Sequence, residues 1–516
     1  MKILGPRDNA LFMRYWWPAV RPAKLVPFVA LLVLVLGVVV FGGYLSRPFR
    51  PPWGPEWFVV AFGIMVGIQA AVLLVLGSFL VVSAAYQEAT TGAIDFHRAS
   101  ATTPLNQMLG LVAGPAMVTW ILFAVGIPFT LAMALLGAVT PGDYVAVLLS
   151  LALTGVFFHT VSALIGLTAR KGQPGLRRQA GSLAAAFLLI STSILFAHSH
   201  WSLPGYLTGY PVIGRALGGA EEIRSAVVGI ELPPLVIQAM VQCPLIVLFG
   251  AALRRAVAYP SRPAVSKVLG LLLSVCFLGL FVASYYSGLA AFREAHVGRG
   301  IAPVRNVASW SLLFAFLLGA AVVCAATPRY ALYCNGLRRQ RKLGLRWAGP
   351  LDDAVGNTGL VVAFGVLSAA FYYSLSGEDA RLPVEALAAM LLYLGWFAGA
   401  VEYFRLTPRR RRGAIFVVTI VTLWALIPAF GFVAISSQEH WPLYGIGLMS
   451  TCPIFGIMAP DLWLTPWQNG PPQLETTYLV LAINLVLLIV FVLLAREARL
   501  RAAAKAREQA ARLEAQ

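Results

Sequence analysis

Long apolar segments recur along the whole of this 516-residue sequence. Crossing about 30 Å of hydrocarbon takes about 20 mainly apolar residues in a helix, and a helix satisfies all of its own backbone polar groups in lipid. The segments of this kind are 25–45, 58–85, 110–139, 144–168, 180–197, 235–253, 268–290, 307–326, 355–375, 386–401, 413–435 and 477–495. The sequence therefore predicts an all-α, polytopic transmembrane protein with about twelve spans. Pro115 and Pro128 predict a kinked or broken third span.

The basic residues indicate an orientation for these spans. If the amino terminus is cytoplasmic and the spans alternate, 31 of the 39 Lys and Arg residues lie on the cytoplasmic side and 8 on the other. Positive charge concentrates on the cytoplasmic side of membrane proteins, so we expect both termini in the cytoplasm of a bacterial cell with the chain in its cytoplasmic membrane. The net charge of +18 then reflects topology, not nucleic-acid binding. The basic runs RRQRK from Arg338 and RRRR from Arg409 fit anionic lipid or a cytosolic partner.

The residues before the first span alternate aromatic and basic side chains, among them Arg14, Tyr15, Trp16 and Trp17. This pattern suits either a helix lying in the membrane interface or an aromatic belt ahead of a span. The first apolar run has the length of a span, so we expect an anchor, not a cleaved signal.

Ionisable residues are missing from the hydrocarbon part of the predicted spans, where carriers driven by protons or sodium usually place them. His159 is the titratable exception, and a lone histidine there is more often hydrogen-bonded packing than a proton relay. Interhelical hydrogen bonds are the expected role of four amides in the spans, Gln69, Gln238, Gln242 and Asn484.

Signatures of catalysis and metal binding are weak. The five cysteines form no paired motif, and His198 and His200 in AHSHW are more typical of an interface than of a metal site. The sequence has no HExxH, GxSxG or GxxxxGK[ST]. We therefore predict no catalytic, cofactor-binding or metal-binding residue in this chain.

A polar stretch, QEATTGAIDFHRASATTPLNQMLG from Gln87, separates the second and third spans. Gly92 permits a turn, and the capping residues ahead of Pro104 predict a short helix, a break and then the third span. Glu88 and Asp95 are expected on a solvated loop, so replacing both should change stability little.

This stretch resembles the loop between the second and third spans in the membrane subunits of ATP-binding cassette (ABC) exporters of the type-two permease group. That loop reads as a Glu-rich stretch, then GT, then a run like FDFHRLTPLSP and a glycine. The matching residues are Glu88, Gly92, Asp95, Phe96, His97, Arg98, Thr103, Pro104 and Gly110. The resemblance implies that 86–109 holds a coupling helix, which docks on a separate ABC ATPase subunit. Two ATPase copies would bind ATP and Mg, and this chain would hold no cofactor and perform no catalysis.

The same family is built from six spans with an interfacial helix before the first and an outer hairpin between the fifth and sixth. The resemblance therefore implies two fused permease halves, 1–260 with the coupling loop and 261–516 with a cytoplasmic C-terminal helix. Long outward segments contain YPVIG from Tyr210 and CPIFG from Cys452. The second half's loop, 327–354, lacks the coupling pattern. RLTPRRRR from Arg405 is either a lipid-facing anchor or a displaced copy of that pattern.

Two other classes stay open. A polytopic enzyme acting on lipids needs acids, His or Cys clustered near the membrane face, whereas the acids here are scattered. A non-transporting scaffold would carry the same docking loop without a passage between halves. We expect a membrane-spanning permease, with export implied by the resemblance.

Overall fold

The computed structural model describes most of the chain, and most of that part is helical. The described residues are 9–45, 55–99, 102–168, 205–218, 226–227, 230–259, 262–295, 302–328, 330–342, 356–375, 384–407, 412–427, 451–453 and 473–514. The predicted fifth span, 180–197, lies outside these ranges, as do His198 and His200.

The described helices are numbered here in chain order. They are α1 (Ala10–Ala19), α2 (Pro22–Leu45), α3 (Pro55–Ala70), α4 (Gly77–Thr91), α5 (Ala93–Ala99), α6 (Pro104–Leu136), α7 (Pro141–Thr168), α8 (Tyr210–Ala216), α9 (Pro234–Ala258), α10 (Lys267–Ala295), α11 (Ala302–Ala326), α12 (Tyr330–Lys342), α13 (Thr358–Leu375), α14 (Val384–Leu406), α15 (Arg412–Val421) and α16 (Gln473–Glu514). A π-helical turn, Ala71–Leu76, joins α3 to α4, and a second, Thr422–Leu426, follows α15. A two-residue antiparallel ladder pairs β1 (Ala226–Val227) with β2 (Ile230–Glu231).

The architecture is that of an all-α polytopic membrane protein. Within the described residues, six helical stretches are long and apolar enough to cross a membrane, or seven if one bent pair counts as a single span. The six are Phe58–Thr91, Pro104–Leu136, Pro141–Thr168, Pro234–Ala258, Leu387–Leu406 and Tyr478–Gln509. Three shorter apolar helices coincide with further predicted spans, Leu25–Phe41, Lys267–Leu280 and Thr358–Phe371. The number twelve stays a prediction.

Two helices are more continuous than the sequence suggests. The third span was predicted to be kinked or broken, and the structure excludes the break, because α6 runs through Pro115 and Pro128. Each proline removes a single backbone donor, and packed neighbours can hold such a helix together in a membrane protein. The last span and the charged tail form one helix, α16, of 42 residues.

The chain divides into two compact units, the first comprising Met1–Pro260 with Ala283–Ala295 and the second Ser261–Val282 with His296–Gln516. In the first unit α6 and α7 are central: α6 packs on α1, α2, α3, α4 and α9, and α7 packs on α4, α8 and α9.

In the second unit α14 packs on α11, α13, α15 and α16. Its core is aromatic: the fully buried indole of Trp396 stacks on Phe491, and Phe397 stacks on Trp424.

Candidate functional site

The stretch that resembles a coupling loop folds as the sequence predicts. Helix α4 ends at Thr91, and Gly92 takes the left-handed conformation, φ 76°, that glycine adopts without steric cost. The seven-residue helix α5 follows. Thr103 then caps α6 by accepting a hydrogen bond from the Asn106 N–H, and Pro104 occupies the first helical position.

Glu88 does not lie on a solvated loop, and that prediction was wrong. It sits on the last turns of α4 with only 1% of its surface exposed. The Nη1 atom of Arg14 lies 3.1 Å from Glu88 Oε1, and the Tyr15 hydroxyl donates a 2.5 Å hydrogen bond to the same oxygen. A buried carboxylate is tolerated when it is paired and hydrogen-bonded in this way. Glu88 therefore fastens α1 to α4.

Tyr15 is suited to this role because its phenol stays protonated. Burial, followed by the hydrogen bond to Glu88, raises the pKa of Tyr15 well above its ordinary value. The hydroxyl consequently remains a donor to the carboxylate throughout the physiological range.

Helix α1 also lies directly on α6. A Cβ at Gly110 would come within 2.8 Å of Asn9 Oδ1, and one at Gly114 within 3.2 Å of the Tyr15 Cβ. These two glycines, four residues apart, let the helix backbones approach closely. Asn9 caps α1 by accepting from Phe12 N–H and donates through Nδ2 to the Asn106 carbonyl at 2.7 Å. The structure thus shows a separate helix, α1, ahead of the first predicted span. A position of α1 in the membrane interface stays a prediction.

Helix α5 packs on α4 and α9, and part of its surface stays exposed. Ile94 is buried, whereas Asp95 is exposed and 74% of the Phe96 surface is accessible. The structure describes the backbone of His97 and Arg98 within α5 but not their side chains. An exposed aromatic ring beside an acid, on a short helix packed against the first unit, is a suitable contact for another protein.

Replacing Glu88 with alanine is expected to lower the free energy of unfolding by about 2 kcal/mol, because the part-buried Tyr15 hydroxyl loses its acceptor. The Arg14 side chain is half-exposed and can be solvated in the variant. The loss of stability should therefore be smaller than for a fully buried ion pair. Thermal unfolding of the purified protein in detergent measures the change. Glu88→Gln keeps an acceptor and should lose less, and the exposed Asp95→Ala should stay within about 0.5 kcal/mol of wild type. Equal effects of Glu88→Ala and Asp95→Ala would contradict the burial of Glu88.

The interior of the first unit contains the polar contacts expected from its sequence. His159 on α7 donates from Nε2 to the Leu73 carbonyl of the π-helical turn at 2.9 Å, so it is hydrogen-bonded packing. The imidazole of His159 packs closely on α4, since a Cβ at Gly77 would lie 2.3 Å from Nε2. A π turn in a span is a common position for functional movement.

Two predicted amides connect α9 to other elements, one to α7 and one to the segment ahead of YPVIG. Gln238 accepts from the Ser150 hydroxyl of α7 at 2.6 Å. One turn later, Gln242 donates to the carbonyls of Tyr206 and Leu207. The YPVIG residues lie in α8, which packs on α7 and α9. The part of the predicted outward segment that contains YPVIG is therefore packed on α7 and α9.

The other two predicted amides also bond between elements. Gln69 donates to the Phe123 carbonyl of α6 at 3.2 Å, and Asn484 of α16 accepts from the Trp396 indole at 3.2 Å.

Sequence reasoning missed a buried charged cluster in the second unit. Glu402 comes directly after the predicted tenth span, 386–401, and it lies within α14 with only 5% of its surface exposed. Its Oε1 is 3.1 Å from Arg499 Nε, and its Oε2 accepts from the Asn357 N–H at 3.1 Å. Lys267, fully buried, donates to the Gly356 carbonyl at 3.0 Å. The sequence did offer one indication of this cluster, since Glu402 is a single carboxylate among mainly apolar neighbours at the end of a predicted span.

Within the described residues, no group of three or more His, Cys, Asp and Glu side chains could hold a metal ion. No protein-family model, no curated protein and no solved structure matches this chain.

Proposed function

We propose that this chain is the membrane-spanning permease subunit of an ABC exporter and that separate ATPase subunits, two per complex, dock on 86–109. The observation that carries the proposal is helix α5, which exposes Phe96 and Asp95 while it packs on α4 and α9. The energy would come from ATP bound on the partner. This agrees with the predicted spans, which have no Asp, Glu, Lys or Arg in their hydrocarbon part. Glu402 lies inside the candidate span Leu387–Leu406, but it is paired with Arg499.

Packing in the first unit supports a transmission path from α5 into the membrane. Helix α5 continues α4 after the Gly92 turn, and α4 packs closely on α7. At this contact a Cβ on Gly166 would lie 2.6 Å from the Val82 carbonyl. A rigid contact of this kind carries a displacement of α4 to α7, because packed interiors transmit strain. The π-helical turn Ala71–Leu76 lies where α4 meets α3 and could absorb the movement.

Phe96→Ala tests the docking directly. Burial of one phenylalanine contributes about 1.5–3 kcal/mol, so the substitution should weaken the affinity for the purified ATPase subunit about 10- to 100-fold. Surface plasmon resonance with the permease in nanodiscs measures this affinity. Phe41→Ala is the matched control, because Phe41 is 58% exposed on α2, a predicted span.

The results of that experiment distinguish a transporting permease, a non-transporting scaffold and a chain that does not dock through α5. Loss of both ATPase binding and ATP-driven export in Phe96→Ala, with Phe41→Ala unchanged, supports the permease. ATPase binding without any transport in reconstituted vesicles would favour a scaffold. Equal affinities for wild type and Phe96→Ala would exclude α5 as the docking element.

A further inference from the structure

Helix α12, which carries the RRQRK run, packs along the end of α16. Tyr333 of α12 belongs to a small apolar cluster with Ala498 and Ala502 of α16. Cys334 donates through Sγ to the Ala502 carbonyl, and Arg338 donates to Gln509 Oε1. Later residues of α12 contact later residues of α16, so the two helices run in the same direction.

The sequence of α16 shows where this pair lies relative to the membrane. Residues 478–495 are free of charged residues, and 18 helical residues span about 27 Å, close to the hydrocarbon thickness. Gln509 is 14 residues beyond Ala495 on the same unbroken helix, which places it about 21 Å further along the axis.

That distance separates the end of α12 from the lipid headgroups. The headgroup layer on each side is about 5–8 Å thick, and even a tilt of about 40° leaves Gln509 roughly 16 Å from the hydrocarbon. Since Arg338 contacts Gln509, the RRQRK run begins in water. Its attraction to anionic lipid is weakened by salt, because the Debye length is about 8 Å at physiological ionic strength.

The paired helices also carry a strong positive charge. Helix α12 has four basic residues and no acidic one. Residues 496–514 of α16 have six basic and three acidic residues, and Arg499 is paired with Glu402 of α14. A helix that carries four basic residues and lies beyond the headgroups is suited to contact with an acidic protein.

We propose that the basic end of α12, held on the extension of α16, is a second docking surface, and that it binds an acidic face of the ATPase subunit. The inference rests on the proposed function, and it assigns to the second unit a contact separate from α5. It also selects the cytosolic partner over anionic lipid for the RRQRK run.

Charge reversal at the end of α12 tests this surface. Arg341→Glu with Lys342→Glu should weaken the affinity for the purified ATPase subunit about tenfold or more at physiological salt, and the difference should shrink at high salt. The matched control is Arg496→Glu with Arg501→Glu, which changes the charge equally on α16 near the lipid headgroups and should leave the affinity within about twofold.

The outcomes distinguish this inference from the proposed function. If wild type binds the ATPase and the α12 variant binds equally well, the second docking surface is refuted while the permease proposal stands. If wild type binds no ATPase subunit, both fail. A fluorophore at Ala511→Cys, an exposed position, tests for lipid. A response to phosphatidylglycerol in phosphatidylcholine vesicles that disappears in the α12 variant would assign the surface to the membrane and overturn the inference.

Discussion

Glu402→Ala is expected to lower the free energy of unfolding by about 3–5 kcal/mol, the usual cost of removing one partner from a buried ion pair. Arg499 loses its counterion with only 28% of its side chain exposed, and the Asn357 N–H loses its acceptor. Lys267, fully buried in the same cluster, then lies in a more positive environment. Thermal unfolding in detergent, with the yield of folded protein, measures the effect.

A surface ion pair on α16 provides the matched control. Glu497 pairs with Arg501 one turn away, and both side chains are more than half exposed. Glu497→Ala should therefore cost no more than about 0.5 kcal/mol. Glu402→Gln, which keeps an acceptor for Asn357, should lie between the two alanine variants. Similar losses for Glu402→Ala and Glu497→Ala would contradict the buried cluster.

Gly166→Ala is expected to destabilise the first unit by about 1–3 kcal/mol. The added Cβ would lie 2.6 Å from the Val82 carbonyl and 2.7 Å from the Ala85 Cβ. Neither atom is the end of a flexible side chain, so α4 and α7 must separate, as in other overpacked cores. Because this contact belongs to the proposed transmission path, coupling of ATP hydrolysis to transport should fall as well.

Gly250→Ala separates the packing effect from the general effect of alanine in a helix. Gly250 lies in α9 of the same unit, and a Cβ there meets no atom within 4 Å. Alanine at such a position restricts the unfolded chain and favours the helix, so stability should rise by about 0.5–1 kcal/mol. We expect the two substitutions to change stability in opposite directions. Gly166→Ala should lower the midpoint of thermal unfolding and Gly250→Ala should raise it. A loss of similar size in both would rule out the close packing of α4 and α7.

Local features of the fold were predictable because the relevant physics acts between near neighbours in the chain. Long apolar segments specify helices that can cross a membrane, and Gly92, Thr103 and Pro104 specify the turn and the cap around α5. Polar amides in a span must find partners in a medium without water, so the hydrogen bonds of Gln238 and Gln242 were predictable in kind. Their particular partners were not.

The sequence by itself determined that the protein is an all-α membrane protein with a short helix between its second and third predicted spans. Tertiary structure alone decided which charges are buried, since Tyr15 and Glu88 are 73 residues apart and Glu402 and Arg499 are 97 apart. It also decided that α12 packs along the extension of α16, a contact that the basic residues of α12 do not specify. Apolar and polar periodicity acts along one helix, whereas ion pairs and helix contacts depend on which distant segments meet.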